Sequence, residues 1–150
     1  MVQKNILVSI LVNNYNNQKF LKKSINSCLT QTYKNIEIVV FDDNSTDNSK
    51  KIIKIIKNKK LKKILSYKKK QNPSISLNQF NAIRQSFLKS KGEIIFLLDS
   101  DDYFFKNKVK LIVDLFKKDI KLNFVQDNPT YFYPDTNIKI IKKLKKKYFT

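Results

Sequence analysis

The chain of 150 residues predicts a doubly wound α/β fold, a mostly parallel sheet with helices on both faces. Three observations carry this. Short apolar, β-branched runs alternate along the chain with stretches whose apolar residues fall at helical spacing. Such alternation implies right-handed crossovers between parallel strands. Three of the runs also break off abruptly in polar clusters, at residues 13–17, 42–43 and 99–102. That is where a sheet of this kind receives its ligands, outside the carboxyl ends of the strands.

Residues 6–12 form a nearly continuous apolar run, as in a strand buried on both faces. From Phe20 onward, Leu21, Ser24, Ile25, Cys28 and Leu29 make a helical stripe. Residues 36–41 (IEIVVF) repeat the strand pattern and stop at Asp42 and Asp43. Ser45, Thr46 or Asp47 then offers a cap for a helix carrying Ile52, Ile53, Ile55 and Ile56. A short strand at 64–67 and a polar connection through Pro73 lead to a helix with Leu77, Phe80, Ile83, Phe87 and Leu88 on one face. Gly92, the only glycine, follows where a left-handed C-cap is wanted. Residues 93–98 read as the next strand, Val109, Ile112, Val113 and Phe116 as the stripe of another helix, and 123–126 as a further short strand. Beyond Asn128 the pattern weakens into YFYP and a lysine-rich tail with Ile138, Ile140, Ile141 and Leu144. One domain is therefore expected over 1–128, with 129–150 a basic tail or the start of a further region.

The composition is 41% apolar, enough for a real core, and it makes disorder a poor description. Lys and Arg number 31 against 12 Asp and Glu. So basic a balance would ordinarily suggest nucleic acid or an anionic membrane. Only Arg84 is an arginine, however, and the chain is rich in Asn, Ile, Phe and Tyr with one Gly and one Ala. That bias follows A/T-rich codons, and a dedicated nucleic-acid binder would use arginine more often. No nucleic-acid partner is expected. The absence of histidine removes serine–histidine hydrolysis, two-histidine zinc sites and histidine bases. Cys28, alone and among apolar neighbours, reads as a buried thiol. No apolar run approaches 18 residues and the first twelve resemble a strand rather than a signal peptide, so a cytoplasmic location is expected.

Counting Asp47, six of the twelve carboxylates fall in the second and third polar clusters of an otherwise positive chain. Crowded carboxylates raise one another's pKa unless a cation or donors neutralise them. An oxygen-only set suits a hard divalent ion, Mg²⁺ or Mn²⁺, which keeps positions open for phosphate oxygens. The bland alternative is that Asp42 to Asp47 make a turn and cap, and that Asp101 or Asp102 caps the next helix.

Three stretches then match a known pattern in order and spacing: VSILVNNYN, QKFLKKSINSCLTQTYKNIEIVVFDDNSTDNS and GEIIFLLDSDD. Over roughly residues 6–115 the chain resembles the family 2 glycosyltransferases. The resemblance implies a GT-A, Rossmann-like domain over 1–128, with 129–150 beginning a truncated acceptor region or forming a basic tail. It implies that Tyr15 and Asp43 hold the nucleobase, usually uracil, with Asn13, Asp42, Asn81 and Asp99 also on the nucleotide. It implies that Asp101 and Asp102 bind the Mg²⁺ or Mn²⁺ on the diphosphate. The implied reaction is inverting sugar transfer from a UDP-sugar to an acceptor hydroxyl of a sugar or glycan, as in cell-surface polysaccharide synthesis. Peripheral contact with the inner face of the membrane would use the lysine-rich surface.

Departures from the family pattern are visible too. Asn13 stands where many relatives have proline, and Phe80 where they often carry an arginine for the diphosphate, with Arg84 one turn further on. The general base lies well downstream in the family; here Asp114 and Asp119 read as helical, and Asp127 and Asp135 lack the family's motif, so none is assigned. The alternative reading is a non-catalytic basic module for anionic membrane or nucleic acid. A phosphoacceptor receiver is disfavoured by the asparagines ending the first strand, and a dinucleotide domain by the single glycine.

Overall fold

The computed structural model describes residues 5–66, 74–127, 130–133 and 138–141. Tyr67, Pro73, Asp135 and the tail 142–150 lie outside the described residues. Ten elements follow in order: β1 (Val8–Asn14), α1 (Gln18–Leu29), β2 (Ile36–Asp42), α2 (Ser49–Ile55), β3 (Leu61–Leu65), α3 (Ile75–Lys89), β4 (Ile94–Asp99), α4 (Lys108–Lys118), β5 (Thr130–Tyr133) and β6 (Ile138–Ile141). The first four strands form one parallel sheet in the order β3-β2-β1-β4. The chain builds outward from β1 to β3, then crosses back to place β4 on the other side of β1. A topological switch point therefore lies between β1 and β4, the position where ligands bind such sheets.

Strand alternation divides the apolar residues between the two faces. On one face Val8, Ile10 and Val12 join Ile36, Ile38 and Val40 of β2 and Ile94, Phe96 and Leu98 of β4. Leu21, Ile25 and Cys28 of α1, Ile53 of α2, and Val109 and Val113 of α4 pack onto them. Full burial of each such aliphatic side chain contributes about 1.5–3 kcal/mol. Packing of this kind, more than propensity, makes helices as short as these stable. Burial pushes the Cys28 thiol up to about 12, so it is an inert part of that core.

The other face is thinner. There α3 covers β2 and β1 and sinks Ala82 and Ser86, spaced four apart, against the sheet. This corrects the expected apolar stripe: Leu77, Phe80, Phe87 and Leu88 are all exposed. The small pair lets the helix approach closely, while its wide flanks find no element to cover them among the described residues. Leu97 of β4 is left 55% exposed in consequence.

Gly92 also plays a different part from the one expected. The helix before it ends through Ser90 in an extended conformation, and Gly92 has no positive φ. A Cβ there would come within 2.4 Å of the Ser9 backbone nitrogen. Its N–H donates instead to Ser9 Oγ at 2.8 Å, clasping the start of β4 against β1. Glu37 completes the clasp by accepting from Ser9 Oγ, Lys91 N–H and Lys62 Nζ. Burial pushes its carboxyl up, but those donors together outweigh burial and hold it low.

Residues 123–126 form no strand, and Phe124 is exposed. The strand expected at 64–67 begins earlier, at Leu61, with Lys62 and Lys63 on the sheet's edge, where lysine discourages further pairing. In the stretch read as a basic tail, β5 and β6 pair antiparallel.

Candidate functional site

The register brings the three polar clusters level. Asn13 pairs with Phe41 on one side and Asp99 on the other, and Asn14 pairs with Asp42. Backbone bonds continue past the strand ends, from Asp43 N–H to Asn14 O at 2.9 Å and from Ser100 N–H to Asn13 O at 3.1 Å. Two loops therefore leave the sheet on either side of β1.

The loop after β2 is wired to the loop after β1. Asp42 is fully buried and accepts from Asn14 Nδ2 at 2.7 Å, Ser45 Oγ at 2.6 Å and Ser45 N–H at 3.0 Å. Ser45 Oγ in turn accepts from Asn16 N–H, and Thr46 N–H donates to Asn16 Oδ1. Asp47 accepts from Gln18 N–H and Ser49 N–H, serving the starts of α1 and α2 together. Burial raises its carboxyl, but the hydrogen bonds from Ser49 and Gln18 outweigh it and hold it low. Asn16 and Asn44 take positive φ, which asparagine tolerates better than other side chains. Asp42, expected on the nucleotide, has its carboxylate enclosed and engaged within the protein. Its work is to hold the loop so that the next residue, Asp43, faces outward.

Asp43 opens onto a cleft of about 230 Å³ between the sheet and α3, lined also by Phe41, Ile64, Ser66, Asn78 and Asn81. Asp43 and Asn81, each expected on the nucleotide from the family resemblance, line this one cleft. An aromatic wall, a carboxylate acceptor and two amides suit a flat heterocycle bearing ring N–H and carbonyl groups. Tyr15 is exposed at 47% and does not line this cleft. Asn13 is buried at the switch point, and its Oδ1 meets no hydrogen-bond partner among the described residues.

The loop after β4 is more open. Asp99 accepts from Gln79 Nε2 of α3 at 3.0 Å, a contact that sequence reasoning missed. Ser100 is buried and accepts from Asn17 Nδ2. Asp101 and Asp102 are exposed. Desolvation raises the Asp102 carboxyl, and the charges of Asp101 and Asp99 push it further in the same direction. Neither residue caps a helix: α4 starts at Lys108, behind Asn107, with no side-chain cap. The bland reading of this cluster therefore fails.

Among the described residues no three His, Cys, Asp or Glu side chains form a protein metal cage. The donors still fit Mg²⁺ or Mn²⁺, which one or two carboxylates hold together with substrate phosphates. The crowding that raises Asp102 is the strain a cation would relieve. On α3, Phe80 is exposed, as is Arg84 one turn on. Asp114 pairs with Lys110 and Asp127 with Lys108, so neither is poised as a base.

Comparison with known proteins agrees with this geometry. The family described as "Glycosyl transferase family 2" matches residues 9–150. An uncharacterised glycosyltransferase of Nostoc sp. (strain PCC 7120) is 36% identical over 112 residues, covering 73% of this chain and 33% of the relative. The Escherichia coli UDP-Glc:alpha-D-GlcNAc-diphosphoundecaprenol beta-1,3-glucosyltransferase WfaP is 38% identical over 104 residues, 69% of this chain and 38% of that protein. Among solved structures, S. aureus TarS 1-349 in complex with UDP superposes with a TM-score of 0.65 at 27% identity, covering 75% of this chain and 32% of TarS. A UDP-GlcNAc complex of the same protein gives a TM-score of 0.62. The chain spans about a third of the length of the Nostoc relative and of TarS 1-349. Switch point, acidic strand ends and matched sequence thus coincide, and the chain belongs to glycosyl transferase family 2.

Proposed function

We propose that this chain binds the nucleotide diphosphate of a UDP-sugar with the help of Mg²⁺ or Mn²⁺, as the donor half of an inverting glycosyl transfer. The observation that carries this is the level placement of the Asp43–Asn81 cleft and the Asp99–Asp102 turn on either side of β1. Asp43 accepts from the ring N–H of the base, which lies against Phe41, with Asn81 on a base carbonyl. Asp99, held by Gln79, receives the ribose hydroxyls.

Asp101 and Asp102 would hold the divalent ion, which neutralises the charge that develops on the departing diphosphate. The acceptor hydroxyl forms its bond to the anomeric carbon as the bond to the diphosphate breaks. Its proton passes to a base that the described residues do not supply. The UDP and UDP-GlcNAc complexes of TarS support a uridine donor, and the name of WfaP supports a glycan acceptor, there carried on a lipid diphosphate. This last point is also the support for a peripheral place at the cytoplasmic face of a membrane.

Calorimetric titration of the chain with UDP tests the proposal. Binding is expected with Mg²⁺ or Mn²⁺ and is expected to fall at least tenfold in EDTA. Equal affinity with and without metal, or no binding in either, would overturn it.

A further inference from the structure

Beside Asp101 and Asp102 stands a ledge of aromatic rings that donor binding leaves unused. Tyr103 and Phe105 are exposed and meet edge to face with ring centroids 6.2 Å apart. Phe104, between them, turns inward and packs against Phe96 with centroids 5.8 Å apart. The ammonium of Lys23 on α1 lies 3.9 Å from the Tyr103 ring centroid. One turn earlier Phe20 is exposed as well, with Lys19 Nζ 5.4 Å from its ring. The ledge is rigidly mounted: Phe104 N–H donates to Ser27 Oγ at 3.0 Å, Gln31 Nε2 to Phe105 O at 2.9 Å, and Thr32 N–H to Lys106 O at 3.0 Å. The protein thus fixes three large rings in water and lays lysines over or beside them.

We infer that this ledge is a docking surface for an anionic lipid bilayer. Rings whose apolar bodies enter the boundary of the acyl chains, beside lysines that stay at the anionic headgroups, are the chemistry of an interfacial anchor. Lys19, Lys23 and Lys106 supply the charge. Asp101 and Asp102 stand alongside and offset part of it, so the rings must carry a share of the binding. Contact here sets the rim of the donor site at headgroup level, where a lipid-linked acceptor presents its sugar. The inference rests on the proposed function only for that purpose.

The test uses the full chain with vesicles of phosphatidylcholine, alone or with phosphatidylglycerol, and no nucleotide or acceptor, so its failure would leave UDP binding standing. Sedimentation is expected to show binding to the anionic vesicles. Binding should fall at least tenfold in the pair Tyr103→Ser with Phe105→Ser and in the triple Lys19→Glu, Lys23→Glu, Lys106→Glu. The matched triple Lys51→Glu and Lys54→Glu on α2 with Lys57→Glu just beyond it should weaken it less than threefold. The chain contains no tryptophan, so Phe105→Trp supplies a single tryptophan, excited selectively over the tyrosines, whose emission should shift to the blue on anionic vesicles. Equal losses in the two lysine triples would overturn the inference in favour of diffuse attraction. An unshifted Trp, or a shift with a soluble oligosaccharide and not with vesicles, would overturn it as well.

Discussion

The loops that leave β2 and β4 carry similar acidic sequences, yet they are built in opposite ways. After β2, Asp42 is enclosed by three donors, and Ser45, Asn16 and Asp47 lock the turn to its neighbours. After β4, Asp101 and Asp102 are exposed, and the Asp102 carboxyl is raised by partial burial and then by the charges of Asp101 and Asp99. The β2 loop engages Asp42 and Asp47 within the protein and leaves Asp43 on the cleft, whereas the β4 loop leaves Asp101 and Asp102 exposed, where the proposed ligand would meet them. Nearly the same residue types thus give stability on one side of β1 and binding capacity on the other.

The largest way to break this contrast is Asp42→Ala. It removes the acceptor that Asn14 Nδ2 and both Ser45 donors share, leaving Asn14 Nδ2 only its bond to Ser45 Oγ, and should lower stability by about 3 kcal/mol in denaturant unfolding. Gly92→Ala comes next. Its Cβ would push Ser9 and the start of β4 apart, costing about 2 kcal/mol and disturbing the alignment of the second loop with the first.

Asp101→Asn and Asp102→Asn should do the reverse of Asp42→Ala. Metal-assisted UDP affinity is expected to fall about tenfold, about 1.4 kcal/mol, with no loss of stability. For Asp102 the pH dependence follows from its raised carboxyl. Its contribution to stability is full below the ordinary carboxylate range and is lost as pH rises through the raised value, so Asp102→Asn should be the more stable at neutral pH. Metal binding runs the other way and should weaken as pH falls through that value, because the proton competes with the cation. The smallest effect is a gain. Phe80→Arg adds an exposed cation near the diphosphate and should tighten UDP binding about threefold, with little change in stability.

Much of this was legible in the sequence, because continuous β-branched runs and abrupt polar stops report directly on a buried parallel sheet. Asp43 and Asp99 stand at those stops, whereas Asn81 was singled out only by the family resemblance. The roles of Asp42 and Asp43 could not be told apart from residue type alone, since only burial separates them. The α3 stripe misled because large residues set the apparent periodicity, whereas Ala82 and Ser86 set the contact. Gly92 suggested a turn where the real constraint is a close approach to Ser9, 83 residues away in sequence. The Gln79–Asp99 bond likewise spans 20 residues and had no local signal.

The central claim is that the two loops grip a single nucleotide between them. Amide NMR of the chain with UDP and trace Mn²⁺ tests it most directly. Paramagnetic broadening should centre on residues 99–103, while Asp43 and Asn81 shift without being the most broadened. Broadening centred elsewhere, or UDP shifts that leave the Asp43 cleft untouched, would contradict it.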